Sequence, residues 1–395
     1  MASSLGPELL AYFALAQVYV HVMNDLFNVQ TWESLIKFGT KKNEEQQLSR
    51  TIKTNLLIDI VSAFIAFTFA ILLIKEVGAL LEWDSSLIEL AFLYSFIIPF
   101  TLTTFTIGVP RLFNKFAIIA KIQFVMAVLK LISMSVISYY DGEAIAFTAT
   151  YIIIDILINS SLIVYSLLLL KRKQVVNWKN TKIHLNREQM KFLWWTNLRT
   201  VVRIPVRQLD ILIINQVMSM NSVGVYKAYK EVVGIIGRLG APINQAIYPE
   251  YAKLLGKDNT SDTVNVTKNI MKILLSVSIV TMIVFLIVSE FIIETFFGIE
   301  YLTLMTAFYL LLVLNCINLF LTPINSLFIA AGFAKYSFYI VLFNNILYLS
   351  VALIGGMHLG IYGIVLAFAA QMTFNQGLKI ICLKKYSTGW GDTIR

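Results

Sequence analysis

The uncharged stretch ILLSVSIVTMIVFLIV, residues 273–288, decides the class of fold. A run of the same kind covers residues 60–74, and others recur along the 395-residue chain. Apolar residues make up 58% of the chain and charged residues 14%, whereas soluble domains contain roughly 45–50% and about 25%. This composition predicts an all-α polytopic membrane protein. It excludes a cytosolic enzyme, a secreted disulfide scaffold and a disordered protein.

Eleven transmembrane helices are predicted, because each crossing needs about 20 mostly apolar residues. The predicted spans are residues 6–28, 55–74, 87–108, 117–139, 145–170, 193–218, 222–249, 273–296, 302–328, 337–355 and 360–381.

The basic residues predict which side of the membrane each connection faces. Of the 32 lysines and arginines, 24 lie in alternate connections or after the last span, and the opposite connections hold only Lys75. Basic connections face the cytoplasm. We therefore expect the C-terminus inside and Met1 outside, in a cytoplasmic (inner) membrane. The net charge of +9 then belongs to this asymmetry and to the membrane interior, so no nucleic-acid partner is expected.

The polar loop KRKQVVNWKNTKIHLNREQMKF at 171–192 divides the chain. It predicts an N-terminal lobe of five helices (1–170), a cytoplasmic inter-lobe loop (171–192) and a C-terminal lobe of six helices (193–395). Two weak internal sequence similarities relate the part before this loop to the part after it. LGPELLAYFALA at 5–16 matches SVGVYKAYKEV at 222–232, and TIGVPRLFNKF matches IAAGFAKYSFY further on. The two similar segments lie a similar distance apart in each half of the chain. Parallel duplication explains this spacing, and chance similarity between apolar sequences is the alternative.

In the second half of the chain, the predicted span 193–218 precedes the similar segment 222–232. In the first half, no predicted span precedes the matching segment 5–16. The sequence therefore predicts a two-lobed bundle of 11 helices that resembles a 12-helix fold with its first helix missing.

Several stretches, in this order and spacing, resemble the polysaccharide and O-antigen flippases (Wzx type) of the multidrug/oligosaccharidyl-lipid/polysaccharide exporter superfamily. They are LGPELLAYFALA, TWESLIKFGTKK, Asp59 at the start of the next span, PRLFNKFAIIAK, QLDILIINQVMSMNSVGVYKAY, INQAIYPEYAKLL, FFGIEYLTLMTAFYLLL, LFIAAGFAKYSFYIVLFNN and LGIYGIVLAFAAQ. The resemblance implies two helical lobes that move a polyprenyl-diphosphate-linked oligosaccharide across the membrane by alternating access. Membrane lipid, a coupling ion (H⁺ or Na⁺) and polysaccharide assembly proteins are the further partners it implies.

Ionisable residues inside spans are costly and are candidates for function. At 100° per residue, Arg199, Arg203, Arg207 and Asp210 form one stripe of span 193–218. One aspartate cannot pair three arginines, and guanidinium groups bind phosphate in a bidentate manner. We therefore expect an anion site. The alternative is that Arg199 reaches the cytoplasmic interface and Arg207 pairs with Asp210.

The next span carries Lys227, Glu231 and Arg238 on one face. We expect Lys227 to bind substrate, and Glu231 and Asp210 to line the cavity or take part in coupling. The alternative is that Lys227 and Glu231, at i and i+4, simply neutralise each other. Arg238 has no evident partner nearby in the sequence, so we expect it to bind substrate or to pair with a helix of the other lobe.

The first half carries a polar arc that includes His21, Asn24 and Asp25. We expect this arc to line the substrate cavity, with His21 and Asp25 as a proton-coupling pair or as structural hydrogen-bonding residues. Lys130 and Asp155 lie at similar depth on adjacent spans, so they are predicted to form a structural ion pair, with gating as the alternative. The sequence has no enzyme motif of the P-loop, GxSxG or HExxH type. We expect no catalytic residue, cofactor or metal.

The leading hypothesis is a flippase for surface polysaccharide synthesis (O-antigen, capsule or exopolysaccharide). An ion-coupled drug antiporter of the same superfamily is the first alternative. Its site should be acidic, whereas the predicted cavity is cationic. A membrane polysaccharide polymerase or glycosyltransferase is the second alternative, and the short outer connections count against it.

Overall fold

The structure is a computed structural model that describes residues 2–39, 45–140, 144–175, 181, 183–184, 186–255 and 260–387. These residues are almost entirely helical and contain no strand. The helices are α1 (Ala2–Phe27), α2 (Thr31–Gly39), α3 (Glu45–Leu80), α4 (Ser85–Ser95), α5 (Val109–Leu112), α6 (Phe116–Tyr139), α7 (Ala144–Arg172), α8 (Arg187–Val202), α9 (Asp210–Val217), α10 (Met220–Leu255), α11 (Thr260–Phe296), α12 (Met305–Ala330), α13 (Ala334–Leu359) and α14 (Ile361–Ser387).

Eight helical segments within the described residues are long and apolar enough to cross a membrane, and a ninth is formed by a pair bent by 57°. The eight are Gly6–Phe27, Gln46–Leu80, Ala117–Tyr139, Ile145–Arg172, Ser261–Phe296, Ile299–Ala330, Lys335–Leu359 and Ile361–Lys385, and the bent pair is Ser85–Phe100 with Thr104–Leu112. They match nine of the eleven predicted spans. The other two correspond to α8–α9, which is interrupted so that neither helix is long enough to span, and to α10, whose charged residues lower its apolar character.

Large apolar side chains on the protein surface agree with a lipid solvent. Leu72, Phe124 and Ile287 are 67%, 71% and 75% exposed. Water would penalise such exposure by roughly 25 cal/mol for each Å² of apolar surface, whereas acyl chains cover it without this cost. The chain is therefore an all-α multi-pass membrane protein, and the predicted fold class is confirmed.

Packing divides the chain into two compact units. Unit 1 contains Tyr12–Ile204, and unit 2 contains Ala2–Ala11 and Pro205–Arg395. The division between the units lies inside the predicted span 193–218, and the lobe bounds expected from the sequence stay a prediction. The division lies there because α8 packs on α2 within unit 1, where the Phe38 and Phe192 rings meet edge to face at 5.8 Å.

The span 193–218 was predicted as one helix, and this prediction was wrong in detail. After α8 ends at Val202, a π-helical turn covers Pro205–Leu209, and α9 begins at Asp210. Pro205 has no N–H to donate to the preceding turn, and its ring crowds the backbone there, so the regular α-helix cannot continue through it. The backbone of residues 199–210 therefore does not form one continuous α-helix with 100° per residue.

In unit 1, the bent pair is interrupted in the same way. A 3₁₀ turn at Ile98–Phe100 and a π-helical turn at Thr104–Gly108 separate α4 from α5. The π-helical turn is held in a core formed by Leu35 of α2, Ile52 of α3, Phe105 and Val109.

Unit 2 includes the first residues of the chain because the backbone at Pro7 lies close to the backbone of α10. A Cβ atom at Gly224 of α10 would lie 1.8 Å from the Pro7 carbonyl oxygen, so only glycine fits there. Gly6, with φ +73°, interrupts α1 just before Pro7. A glycine adopts this conformation without the strain that a side chain would add.

Candidate functional site

Unit 2 contains a buried ion pair at the start of α9, formed by Asp210 and Lys230. The Lys230 ammonium donates to both oxygens of Asp210 at 2.6 and 2.9 Å, and the Tyr226 hydroxyl donates to one of them at 2.9 Å. The Asp210 side chain is 3% exposed and that of Lys230 is 34% exposed. We call Asp210, Lys230 and Tyr226 the Asp210 cluster. A carboxylate this deep requires such partners, because an unpaired buried charge is very costly.

Two more ionic contacts follow on α10. Lys227 Nζ lies 2.9 Å from Glu231, and Arg238 lies 3.5 Å from the other oxygen of Glu231. Lys227 and Glu231 thus meet at i and i+4. The expectation that Arg238 lacks a nearby partner was wrong, since a seven-residue spacing on one helix face brings it to Glu231. The side chains of Glu231 and Arg238 are 52% and 74% exposed.

The three arginines of the predicted anion stripe have different surroundings. Arg199 Nη2 donates to both carboxylate oxygens of Glu33 at 2.5 and 2.6 Å, within unit 1. Arg203 follows the last residue of α8, and its side chain is exposed. Arg207 lies in the π-helical turn, and its side chain is outside the described part of the structure. Arg199 was expected at a substrate site or at the interface, so its ion pair with α2 is new information.

The predicted polar arc of α1 divides into two hydrogen-bonded groups. Asn28 donates to Asn24 at 3.0 Å and to the Thr101 hydroxyl at 2.9 Å, which ties α1 to the interrupted part of the bent pair. Gln17, nearer the start of α1, donates to the Tyr94 hydroxyl at 3.2 Å. The exposed ring of His21 lies 6.4 Å from that of Tyr94. Asp25 is half-buried.

The structure brings Lys130 and Asp155 together, with Nζ and Oδ1 2.6 Å apart. The Tyr94 hydroxyl donates to the other Asp155 oxygen at 3.2 Å. Lys130 Nζ also lies 3.3 Å from the centre of the Tyr151 ring. This arrangement allows a cation–π contact in addition to the ion pair. We call Lys130, Asp155, Tyr94 and Tyr151 the Asp155 cluster.

A second buried carboxylate, Asp59 of α3, has only neutral donors among the described residues. Oδ2 accepts from the Thr104 backbone N–H at 2.6 Å, and Oδ1 accepts from the hydroxyls of Thr31 and Thr103, the latter at 3.2 Å. Asp59 is 0% exposed. We call Asp59 and these three threonines the Asp59 cluster. In the sequence, Asp59 is an isolated acid in an apolar run, and this signal could have identified it.

Asp210 was predicted from the sequence as a site residue, but its partners were not. Lys230 and Tyr226 lie inside the predicted span 222–249 and were given no role. Glu33, the partner of Arg199, lies 166 residues away in the sequence. Pairs of this kind depend on tertiary packing and have no local signature.

This helical fold, with buried carboxylates beside interrupted spans, is that of a multi-pass membrane protein. Residues 4–306 match the family described as "Polysaccharide biosynthesis protein". The chain belongs to this family, which confirms the resemblance drawn from the sequence. It is 21% identical over 258 residues to the inner membrane protein YghQ of Escherichia coli K12, an alignment that covers 63% of this chain and 72% of YghQ.

Solved structures share the fold at low identity. An inward-facing multidrug resistance MATE family transporter of the MOP superfamily aligns with a TM-score of 0.76 and 16% identity, over 98% of this chain and 93% of that one. The lipid II flippase MurJ in an inward closed conformation aligns with a TM-score of 0.71 and 17% identity, over 96% of this chain and 82% of MurJ. These likenesses place the chain among transporter and flippase folds.

Proposed function

We propose that this protein is a flippase that moves a polyprenyl-diphosphate-linked oligosaccharide across the cytoplasmic membrane for surface polysaccharide synthesis. Family membership supports a role in polysaccharide biosynthesis, and a lipid flippase shares the fold. In this proposal, movement is by alternating access, and the head group of the substrate binds to the protein while the polyprenyl tail stays in lipid.

The proposal rests mainly on the excess of positive charge in α9 and α10. Within the described side chains of Asp210–Ile243, three cations (Lys227, Lys230 and Arg238) face two carboxylates (Asp210 and Glu231). One positive charge remains, and the 74% exposed guanidinium of Arg238 is only loosely held at 3.5 Å. A guanidinium group can bind a diphosphate oxygen pair through two parallel hydrogen bonds. Arg203 and Arg207 are proposed to add to this positive region.

A drug antiporter is the second candidate, because the MATE transporter shares the fold over 98% of this chain. A site for cationic drugs should present unpaired carboxylates, whereas Asp210 and Glu231 are both bound to cations. We therefore rank this function below the flippase.

The test is reconstitution of the purified protein in liposomes that contain a polyprenyl-diphosphate-linked oligosaccharide on the outer leaflet. Loss of glycan accessibility to an external lectin measures movement. We expect movement by the native protein and at least a tenfold slower rate for Arg238→Gln with Lys227→Gln, since each lost charge-assisted hydrogen bond is worth about 1.5–3 kcal/mol.

Lys253→Gln is the matched control, because Lys253 is an exposed lysine of the same helix outside the predicted span. It should leave the rate unchanged. Uptake of a cationic dye with no glycan movement would overturn the flippase and favour the antiporter. Full glycan movement by the double variant would refute the assignment of Arg238 and Lys227.

Three further parts of the proposal rest on the sequence. The C-terminus is proposed to face the cytoplasm, and the two lobes are proposed to be residues 1–170 and 193–395, joined by the cytoplasmic loop 171–192. His21 and Asp25 are proposed to couple movement to a proton. Cysteine labelling from each side of the membrane would test the orientation.

A further inference from the structure

The exposed face of α8 carries cations and tryptophans together. At 100° per residue, Arg187, Lys191, Trp194 and Trp195 lie within an arc of about 100°. All four side chains are exposed, Trp194 by 68% and Trp195 by 54%. The sequence analysis gave this face no role, and the proposed transport site does not include it.

The opposite face of α8 is buried, and its contacts keep the face with the cations and tryptophans on the protein surface. Gln189, Leu193 and Thr196 are buried at 5%, 2% and 4% exposure. The Gln189 amide donates to Asn55 of α3 at 2.6 Å, and Phe192 packs on Phe38 of α2. These contacts set the rotation of α8, so the cations and tryptophans remain on its exposed surface.

The order of residues along α8 matches the layers of a lipid leaflet. Asn186 caps the start of the helix and lies inside the predicted cytoplasmic loop 171–192. Arg187 and Lys191 are about 6 Å apart along the axis, and the tryptophans follow about 5 Å further on. Tryptophan favours the boundary between head groups and acyl chains, which places the two cations at the level of lipid phosphates.

Charge supports an anionic ligand. Within the described residues, neither Arg187 nor Lys191 has a carboxylate within 4.0 Å. Basic residues beside a membrane attract anionic lipids of the cytoplasmic leaflet. The structure assigns this face of α8 as a binding site for the phosphate head group of an anionic phospholipid. Arg187 and Lys191 bind the phosphate, and Trp194 and Trp195 contact the boundary beneath it.

The chain provides a close control for this inference. Lys268 and Lys272 of α11 have the same i, i+4 spacing and are also exposed. Where α8 has Trp194 and Trp195, the corresponding positions of α11 have Leu275 and Ser276. If positive charge alone bound the lipid, the two helices should behave alike.

Tryptophan fluorescence tests the site in the full chain. The purified protein in phosphatidylcholine nanodiscs is titrated with brominated phosphatidylglycerol or with brominated phosphatidylcholine, because bromine quenches tryptophan at contact distance. We expect half-maximal quenching at a mole fraction at least tenfold lower for phosphatidylglycerol. Arg187→Gln with Lys191→Gln should abolish most of this preference, at about fivefold for each cation.

Lys268→Gln with Lys272→Gln should leave the preference unchanged, and Trp194→Phe with Trp195→Phe should remove the sensitive signal. Equal quenching by the two lipids would overturn the inference. An equal loss of preference in the two charge pairs would also overturn it. Displacement of phosphatidylglycerol by an equimolar polyprenyl diphosphate would assign the face to the lipid-linked substrate instead, and would refute the phospholipid.

Discussion

Two buried aspartates, one in each unit, are stabilised by different kinds of hydrogen-bond donor. Asp59 and Asp210 are 0% and 2% exposed, and each lies beside a π-helical turn that interrupts a span. Asp59 accepts from the N–H of Thr104, the first residue of the turn Thr104–Gly108. Asp210 directly follows the turn Pro205–Leu209. Both carboxylates thus lie where regular backbone hydrogen bonding is broken, which is where additional polar partners are needed.

The donors to the two carboxylates differ in charge. Asp210 is bound by the Lys230 ammonium and by the Tyr226 hydroxyl, whereas Asp59 is bound by two hydroxyls and one backbone N–H. A neutral isostere of aspartate can keep most of the Asp59 contacts, because hydroxyls both donate and accept. At Asp210 the same replacement leaves a partly buried cation without its partner. The two clusters should therefore respond differently to one substitution.

The largest effect is expected for Asp210→Asn. Removing one member of a buried ion pair costs about 3–5 kcal/mol, and the 34% exposure of Lys230 places the expected loss near the lower limit of that range. Thermal unfolding in detergent should show a melting temperature lower by about 5 °C or more.

A double variant, Asp210→Asn with Lys230→Met, separates charge from shape. Removing both charges is often close to neutral, so it should recover most of the lost stability. If the double variant unfolds as early as the single one, the ion pair is not the source of the effect.

The second effect concerns Asp59, where we expect alanine and asparagine to differ. Asp59→Ala leaves the Thr104 N–H without an acceptor, which costs about 2 kcal/mol. Asp59→Asn should cost less than about 1 kcal/mol, because its carbonyl accepts from that N–H and its amide donates to a threonine hydroxyl. The same unfolding measurement compares them. An asparagine variant as unstable as the alanine variant would mean that the negative charge itself is needed, and the contrast with Asp210 would disappear.

Hydropathy was sufficient to predict the membrane fold and nine of its spans. It located the helices well because burial in lipid depends on composition along one segment. The angular positions predicted for Arg199 and Asp210 were less reliable, since they assumed a continuous helix. Pro205 lies inside that span, and its main effect is to end the regular hydrogen bonding.

The partners of the charged residues were harder to predict than their positions. Lys130 and Asp155 were paired from their depth on adjacent spans, since two neighbouring helices leave few alternatives. Asp210 and Lys230 required the packing of α9 on α10, and Arg199 and Glu33 required the packing of α8 on α2. In both of these cases the sequence offered several cations of similar depth, and only the tertiary structure selects one.

The smallest effect on stability is expected for Arg199→Gln. This substitution breaks the ion pair between Arg199 and Glu33, which is more exposed than the pair between Asp210 and Lys230. The side chains of Arg199 and Glu33 are 49% and 24% exposed, and exposed ion pairs contribute about 0–1 kcal/mol. The melting temperature should change by no more than about 1–2 °C. This small cost makes the pair a useful probe of function, because any large loss of glycan movement cannot then be explained by unfolding.

Glu33→Gln is the matched variant, since it breaks the same pair and leaves the guanidinium in place. If Arg199 binds the substrate diphosphate, as its position among the arginines 199, 203 and 207 suggested, Arg199→Gln should slow glycan movement by about tenfold or more and Glu33→Gln should not. If the pair only fastens α8 to α2, the two variants should have equal rates. A rate in Glu33→Gln as low as that in Arg199→Gln would therefore remove Arg199 from the substrate site and assign it to the packing of unit 1.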